Sequence, residues 1–409
     1  MSLLDRKLYR DIRALSGQVA TIALLVAAGI AVFVASVSTY GALEATRAEF
    51  YDRHRFSQIF VTLKRAPLTI VSRISEIPGV ATIEPRIVRD VIVDWPASDL
   101  PVSARMVSLS NGGDEPLNRL YLRRGAAPQP GDAHTVAVNE AFAEANRIPP
   151  GADLRILLNG RVETFGIGGI ALSPEYIYAV KPGLLIPDDA HYAILWVDRS
   201  AAEAAFAMEG AFNDAVISLA PGANEMQVME QLDQLLEPYG SIGGISRRDQ
   251  PSHRFLDDEL KQQQVMATTI PYVFFGIAAF LLNVVLGRLV TVQREQIAAL
   301  KALGFPTTPI ALHYLKFVAV VTALGSVIGM LGGFAFGRAM MLSYQDFFRF
   351  PRLVFEMNWP SAVAGSMISF AAAAFGTLAA VRNVVTLAPA VAMRPIAPIR
   401  FHHASIEAL

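Results

Sequence analysis

The sequence predicts a membrane protein, four transmembrane α-helices with a large extracytoplasmic α/β domain inserted between helices 1 and 2. Three features carry this reading. Four stretches have no charged side chain over about the 20 residues that a helix needs to cross a bilayer: Ala14–Leu43, Val265–Gly287, Phe317–Gly337 and Met357–Val381. Charged residues make up only 17% of the 409 residues, against about 25% in an ordinary soluble domain, and apolar residues reach 53%. Between the first two stretches, residues 44–264 have the composition of a folded domain.

The first apolar stretch follows Arg6, Lys7, Arg10 and Arg13, which is also how a cleaved signal peptide begins. Its length exceeds the usual apolar core of such a peptide, about 7–15 residues, so it reads as a retained anchor. Short-loop Lys and Arg set the direction. The amino terminus has four, the loop from 288 to 316 has four (Arg288, Arg294, Lys301, Lys316) and the tail has three (Arg382, Arg394, Arg400). The loop between the third and fourth stretches has three (Arg338, Arg349, Arg352) and belongs outside. Both termini are therefore expected in the cytoplasm of a bacterial plasma (inner) membrane. Reversing the 288–316 loop would cost on the order of 10 kcal/mol, at about 3 kcal/mol per basic residue. The outer loop is aromatic, with Tyr344, Phe347, Phe348, Phe350, Phe355 and Trp359. It reads as an interfacial belt or as a gate.

The inserted domain shows alternating strand and helix signals, which favour a mixed sheet with helices on it over an all-β sandwich. "ILLNGRVETF" places Asn159-Gly160 between two alternating runs, a two-residue hairpin signal. "TVAVNEAFAEANRIPPG" reads as strand, Asn139 cap, short helix and stop. In "NEMQVMEQLDQLLEPYG", Asn224 is the expected N-cap and Gln227 stands three residues on. "ISEIPGVATIEPRIV" reads as helix, turn and strand. Leu43–Phe56 and His253–Thr269 contain no Gly or Pro. Both are expected to continue their spans as helices, a stalk rather than a flexible tether.

Several chemistries are excluded or unsupported. There are no cysteines, so disulfides, thiolate metal sites and cysteine nucleophiles are excluded. The net charge of -1 gives nucleic acid binding no support. No G-x-x-x-x-G-K-[ST] motif is present, so the chain does not itself hold ATP in a P-loop. Gly166, Gly168 and Gly169 read as a bulge or a tight turn inside a strand pattern. Asp188, Asp189 and His191 read as a solvated turn, and His253 with Asp257, Asp258 and Glu259 as the acidic start of a helix. No catalytic or metal-binding residue is nominated. Within the third apolar stretch Gly325, Gly329, Gly333 and Gly337 recur every four residues, a helix-packing face that admits a close neighbour. That neighbour is either a helix of the same bundle or one from a second bundle.

The segment "REQIAALKALGF" between the second and third spans reads as a short amphipathic helix. Ile297, Leu300 and Leu303 form its apolar side, with Arg294, Glu295, Gln296 and Lys301 on the rest. Gly304 ends it and Pro306 forbids continuation; Thr308-Pro309 reads as the N-cap and first position of the third span. The helix is either an interfacial connector or a docking element for a cytoplasmic partner.

Those eleven residues, 294–304, resemble the inner-loop motif R-[RE]-E-I-G-x-L-K-A-L-G of the MacB/FtsX/LolC-type ABC transporter permeases, the FtsX-like permease family. Gln296 stands where that family commonly has Glu, and Ala298 where it often has Gly. "LAPAVAMRP", Leu387–Pro395, resembles the family's P-x-x-A-[LM]-R-P ending, and residues 120–156 resemble its external-domain stretch. The order of span, external domain and three further spans matches as well.

The resemblance implies 1–43 as amino terminus and first span, 44–264 as a MacB-like core domain with a helical stalk, 265–395 as an FtsX-like permease domain and 396–409 as a cytoplasmic tail. It implies a non-catalytic subunit that needs no cofactor of its own, ATP and Mg²⁺ being bound by a separate cytoplasmic ABC ATPase that docks on residues 294–304. It further implies a second copy of the permease unit (homodimer, paralogue or tandem half), contact with membrane lipids and, in some relatives, an extracytoplasmic adaptor. The expected activity is mechanotransmission, ATP-driven movement of the external domain that exports or extracts a lipid, lipoprotein, peptide or other amphiphile. The alternative is a scaffold that regulates an extracytoplasmic enzyme such as a cell-wall hydrolase.

Overall fold

The structure, a computed structural model, describes residues 3–96, 98–110, 116–304 and 306–386. The expected ending motif at Leu387–Pro395 lies outside the described residues, as does Phe305 of the inner segment.

The chain starts with α1 (Leu3–Ala14) and α2 (Ser16–Arg53). Next come β1 (Ile59–Pro67), α3 (Ile70–Ser75), β2 (Val80–Arg86), β3 (Val88–Asp94), β4 (Val102–Ser108) and β5 (Tyr121–Gly125). They are followed by β6 (Thr135–Asn139), α4 (Glu140–Ala145), β7 (Asp153–Leu158), β8 (Arg161–Leu172), β9 (Tyr192–Val197) and α5 (Arg199–Phe206). Then come β10 (Ala211–Leu219), α6 (Glu225–Leu236) and β11 (Gly244–Ser246). The chain returns to helices with α7 (Pro251–Val292), α8 (Arg294–Ala302), α9 (Thr307–Phe347), α10 (Trp359–Gly376) and α11 (Leu378–Thr386).

Two compact units result. Among the described residues, the helical unit comprises 3–39, 263–338 and 356–386, and the α/β unit 40–262 and 339–355. Each of the boundaries at 39–40, 262–263 and 338–339 falls inside an unbroken helix, α2, α7 and α9 respectively.

Among the described residues, three helices are long and apolar enough to cross a membrane: α2, α7 and α9, of 38, 42 and 41 residues. The fourth apolar stretch is divided at Thr377, whose hydroxyl bonds back to the carbonyls of Ala373 and Ala374 at 3.0 Å each. It forms two shorter helices, α10 and α11, rather than one. The core of the helical unit is aliphatic and aromatic, drawn from Val26, Ile30 and Val34 of α2, Phe275, Leu282 and Leu286 of α7, Phe317 and Val321 of α9, and Ala362 and Ala373 of α10.

Small residues decide how closely these helices approach. A Cβ on Gly325 would stand 2.7 Å from the Ala23 carbonyl oxygen, one on Gly329 2.7 Å from that of Ala27, and one on Gly333 2.9 Å from that of Ala31. The glycine face of α9 thus lies directly on the backbone of α2, a contact any side chain would force apart.

The α/β unit contains two sheets where the sequence suggested one. The smaller is antiparallel, in the order β11-β1-β10-β2. Its apolar face, including Ile59, Val61, Phe212 and Ile217, packs with Ile70 and Ile74 of α3 and Val228, Leu232 and Leu236 of α6. The Asn224 side chain caps α6 by accepting from the Gln227 amide at 3.3 Å.

The larger sheet is mixed, in the order β5-β8-β6-β9-β4-β3-β7, and closes on itself because β7 also pairs with β8. The closure depends on the 12-residue β8. Its first half pairs with β7 through a tight turn at Asn159 (φ 49°) and Gly160 (φ 81°), while its second half pairs with β6 and β5. The register against β6 skips Gly168, which makes that residue a bulge. A Cβ there would meet the Thr135 methyl at 2.6 Å. Asn139 stands at the N-cap position of α4, but its side chain does not cap; it accepts from the Ile194 amide of β9 at 2.9 Å. A central strand with an unpaired amide competes successfully for that acceptor.

A buried ionic group ties the smaller sheet to the turn that follows β8. Arg86 on β2 bonds Glu175 at 2.6 and 3.1 Å and Asp214 of β10 at 2.8 Å, and Asn118 donates to Glu175 at 2.9 Å. Burial raises the Glu175 carboxyl, but Arg86 and Asn118 more than offset it and hold it below the usual range. At Asp214 burial prevails over the pull of Arg86, and the carboxyl is raised.

Candidate functional site

The inner segment folds around α8. Only Gln293 separates α8 from α7, and its backbone continues the helical bonding: its amide donates to Leu289 and its carbonyl accepts from Ile297, both at 2.9 Å. The sharp reversal comes at the other end. There Gly304 has φ +87°, in the region glycine favours, and its amide bonds Lys301 at 3.1 Å. The next helix, α9, begins at Thr307, one residue before the expected N-cap at Thr308.

The predicted apolar side does not share one environment. Ile297 is buried (1% exposed) in the core of the helical unit together with Ala298, and Leu300 is half-buried against it. Leu303 is 77% exposed. At about 100° per residue, six residues carry Leu303 about 120° round from Ile297. The solvent-facing side consists of Val292, Glu295, Gln296, Ala299, Ala302 and Leu303, with Val292 74% exposed. Arg294 is half-buried at the start of α8 and Lys301 half-buried near its end.

A buried polar cluster holds the base of this segment, and it was not evident in the sequence. Asp11 of α1 accepts from Lys7 at 2.7 Å, from the Gln293 amide nitrogen at 3.0 Å, and stands 3.3 Å from His313 Nε2 on α9. Lys7 also donates to the Gln293 side-chain oxygen, which accepts from the Tyr314 hydroxyl at 3.3 Å. Asp11, Gln293 and His313 are all buried. Burial raises the Asp11 carboxyl, but the donors on His313, Lys7 and Gln293 and the charge of Lys7 more than offset it, and it is lowered to about 2. The cluster joins α1, the residue before α8, and α9 (Lys7 and Asp11 with Gln293, His313 and Tyr314). Its only local sequence signal is the i, i+4 pair Lys7 and Asp11; the other partners lie hundreds of residues away.

Gly325, Gly329 and Gly333 face α2 as described, and Gly337 is buried on the same face of α9. His191 Nδ1 lies 2.8 Å from an Asp188 carboxylate oxygen, a hydrogen bond within a turn. Among the described residues no group of three or more His, Asp or Glu side chains is placed to hold a metal ion.

Residues 268–389 match the family model described as FtsX-like permease C-terminal. No curated protein matches the chain. Among solved structures, the chain is similar to the periplasmic region of MacB from Actinobacillus actinomycetemcomitans, at 10% identity and a TM-score of 0.31, over 53% of this chain and 97% of that one. It is also similar to the extracellular domain of the noncanonic ABC-type transporter YknZ from Gram-positive bacteria, at 10% identity and a TM-score of 0.30, over 46% of this chain and 98% of that one.

Proposed function

We propose that this chain, a membrane permease whose residues 268–389 match the FtsX-like permease C-terminal family model, converts ATP hydrolysis by a separate cytoplasmic ATPase into movement of its α/β unit. The observation that carries the reading is the two-sided character of α8. Ile297 and Ala298 anchor it in the helical core, while Gln296 and Ala299, with Leu303 just past its end, present an unburied strip of spacing i, i+3 and i+7, which Val292 at the end of α7 extends. That is the pattern of a helix that docks in a groove of a partner. Glu295 lies at the edge of this strip and orients the partner by charge.

Force applied to α8 has a short route into the permease. Gln293 links α8 to α7 almost without a break, and the Asp11 cluster joins the same point to α1 and α9. Helices α7 and α9 then run unbroken into the α/β unit, as does α2. A continuous helix transmits displacement, whereas a Gly/Ser tether would absorb it.

In this reading α10, with 18 residues and a length of about 27 Å, is the fourth span, continued by α11. Both termini and α8 are cytoplasmic, the α/β unit is extracytoplasmic, and two permease units pair with two ATPase subunits. The cargo is an amphiphile that meets the α/β unit. The test is co-purification from membranes with assay of nucleotide hydrolysis. A P-loop ATPase is expected with the parent chain and is lost with Leu303→Asp, a change on the exposed side that spares the core. Full retention of the ATPase by that variant refutes the docking assignment.

A further inference from the structure

We propose that the α/β unit binds a phosphate-bearing anion in the arginine-lined cleft between α4 and the segment 345–353. The cleft has a volume of about 720 Å³ and is bordered by Arg123, Arg124, Arg147, Arg349 and Arg352 against three carboxylates, Glu140, Glu144 and Asp346. The arginines divide into two sets with different work.

Arg123 and Arg349 build the cleft. Arg123 is paired with Glu140 of α4 and also donates to the carbonyls of Pro351 at 2.7 Å and Phe350 at 3.1 Å. Arg349 bonds Glu144 at 2.6 Å and Asp189 at 3.3 Å, and its amide donates to the Ile177 carbonyl at 2.9 Å. These bonds fasten the segment 349–351 to α4, so the walls are held from both sides. The Nε of Arg349 is buried and has no partner among the described residues.

Arg124, Arg147 and Arg352 are left over. All three are exposed at the cleft, and none makes a side-chain hydrogen bond or ion pair among the described residues. Asp346 faces the same space, exposed and likewise unpaired, and neutralises one charge of the three at most. Arg147 is also conformationally unusual. It ends α4 at φ 54°, a position where glycine is the common choice, and the Ile148 amide closes the turn onto Ala143 at 2.8 Å. An arginine there places a cation at the lip at some conformational cost.

Guanidinium groups suit phosphate because their planar donors match two oxygens at once. Ile148, Phe348, Phe350 and Leu353 border the cleft but are buried, so the apolar surface beside the charges comes from Pro149 and Pro351. A phosphodiester headgroup with its acyl chains and a free phosphate share the recognising chemistry, and the apolar border distinguishes them.

The experiment uses the purified full chain in neutral detergent, without nucleotide or ATPase, so it stands or falls separately from the coupling reading. Equilibrium binding is measured for dihexanoyl phosphatidylglycerol, dihexanoyl phosphatidylcholine and inorganic phosphate. The anionic lipid is expected to bind and the zwitterionic one to bind about tenfold more weakly or not at all. Replacing Arg124, Arg147 and Arg352 together by Gln should weaken the anion by about tenfold or more, the order expected for lost hydrogen bonds to a charged group. Replacement by Lys should keep part of the affinity. Tighter binding of the lipid than of phosphate identifies a headgroup with its chains; equal binding identifies a free anion, and either supports the site. Equal affinity for the two lipids, unchanged affinity in the triple Gln variant, or no binding of any probe overturns it.

Discussion

Gly329→Ala should destabilise the protein, whereas Gly332→Ala should not. The two glycines stand three residues apart on α9, and both changes add one methyl group in a helix interior. The gain from replacing a helical glycine, up to about 1 kcal/mol, is therefore common to both. Their surroundings differ. A Cβ on Gly329 would stand 2.7 Å from the Ala27 carbonyl oxygen and 2.8 Å from the Ile30 Cβ, whereas one on Gly332 would meet only the Ala31 Cβ, at 3.7 Å. Relief at Gly329 requires α2 and α9 to separate by about 0.7 Å, because the obstructing atom is backbone and cannot rotate away. A gap of that size forfeits a quarter to a half of the dispersion energy of each pair it opens. Overpacking of this kind costs about 1–3 kcal/mol, and that is the expected difference between the two variants. Thermal unfolding in detergent or nanodiscs, read against the parent, measures it. Equal stability of the two variants would refute the close backbone contact between α2 and α9.

Two further outcomes follow from buried polar groups. Asp11→Ala leaves Lys7, the Gln293 amide and His313 without their shared acceptor, and should cost about 3–5 kcal/mol, the usual loss when one partner of a buried pair is removed. The double change Lys7→Met with Asp11→Leu should cost less than that single change, which denaturant titration of the three proteins decides; a double variant worse than Asp11→Ala contradicts the cluster. His253 is bonded to the Tyr51 hydroxyl at 3.0 Å, and burial, helped by the charges of Arg47 and Arg247, lowers it to about 4 against the opposing pull of Asp257 and Glu44. Its folded value lies below its ordinary 6.5. The unfolded chain therefore takes up the proton first as pH falls. The associated stability is complete above about pH 6.5 and is lost toward pH 4, by up to about 3 kcal/mol. His253→Gln should flatten the thermal stability profile across that window, and an unchanged slope refutes the assignment.

What the sequence revealed was mostly local. The turn at Asn159-Gly160 needs two residues at positive φ, and Asn-Gly supplies them without help from the rest of the fold. Asn224 caps α6 because its acceptor, the Gln227 amide, is only three residues away. The absence of breakers in Leu43–Phe56 and His253–Thr269 announced helices that continue beyond the apolar stretches, and α2 and α7 do continue. The glycine spacing on α9 indicated a close partner, although α2 as that partner required the structure. Failures arose where distant groups compete. Asn139 has cap chemistry but serves the Ile194 amide, 55 positions on. One long strand, β8, serves two sets of neighbours because a glycine bulge lets it change register, which no alternation pattern announces. On α8 an apolar series at i, i+3 and i+6 looked like one face, but its last member has rotated to solvent. The Asp11 cluster joins residues separated by 282 and 302 positions, beyond any periodicity argument.

Labelling at Leu303 tests the central claim, that α8 is held from the cytoplasm by an ATPase, most directly. The chain has no cysteine, so Leu303→Cys provides a single reactive thiol on the exposed side of α8. A membrane-impermeant maleimide should leave this thiol unmodified in intact cells, modify it readily in inside-out vesicles stripped of peripheral proteins, and modify it slowly once the ATPase is restored. Rapid labelling from outside intact cells, or a rate indifferent to the ATPase, contradicts the account.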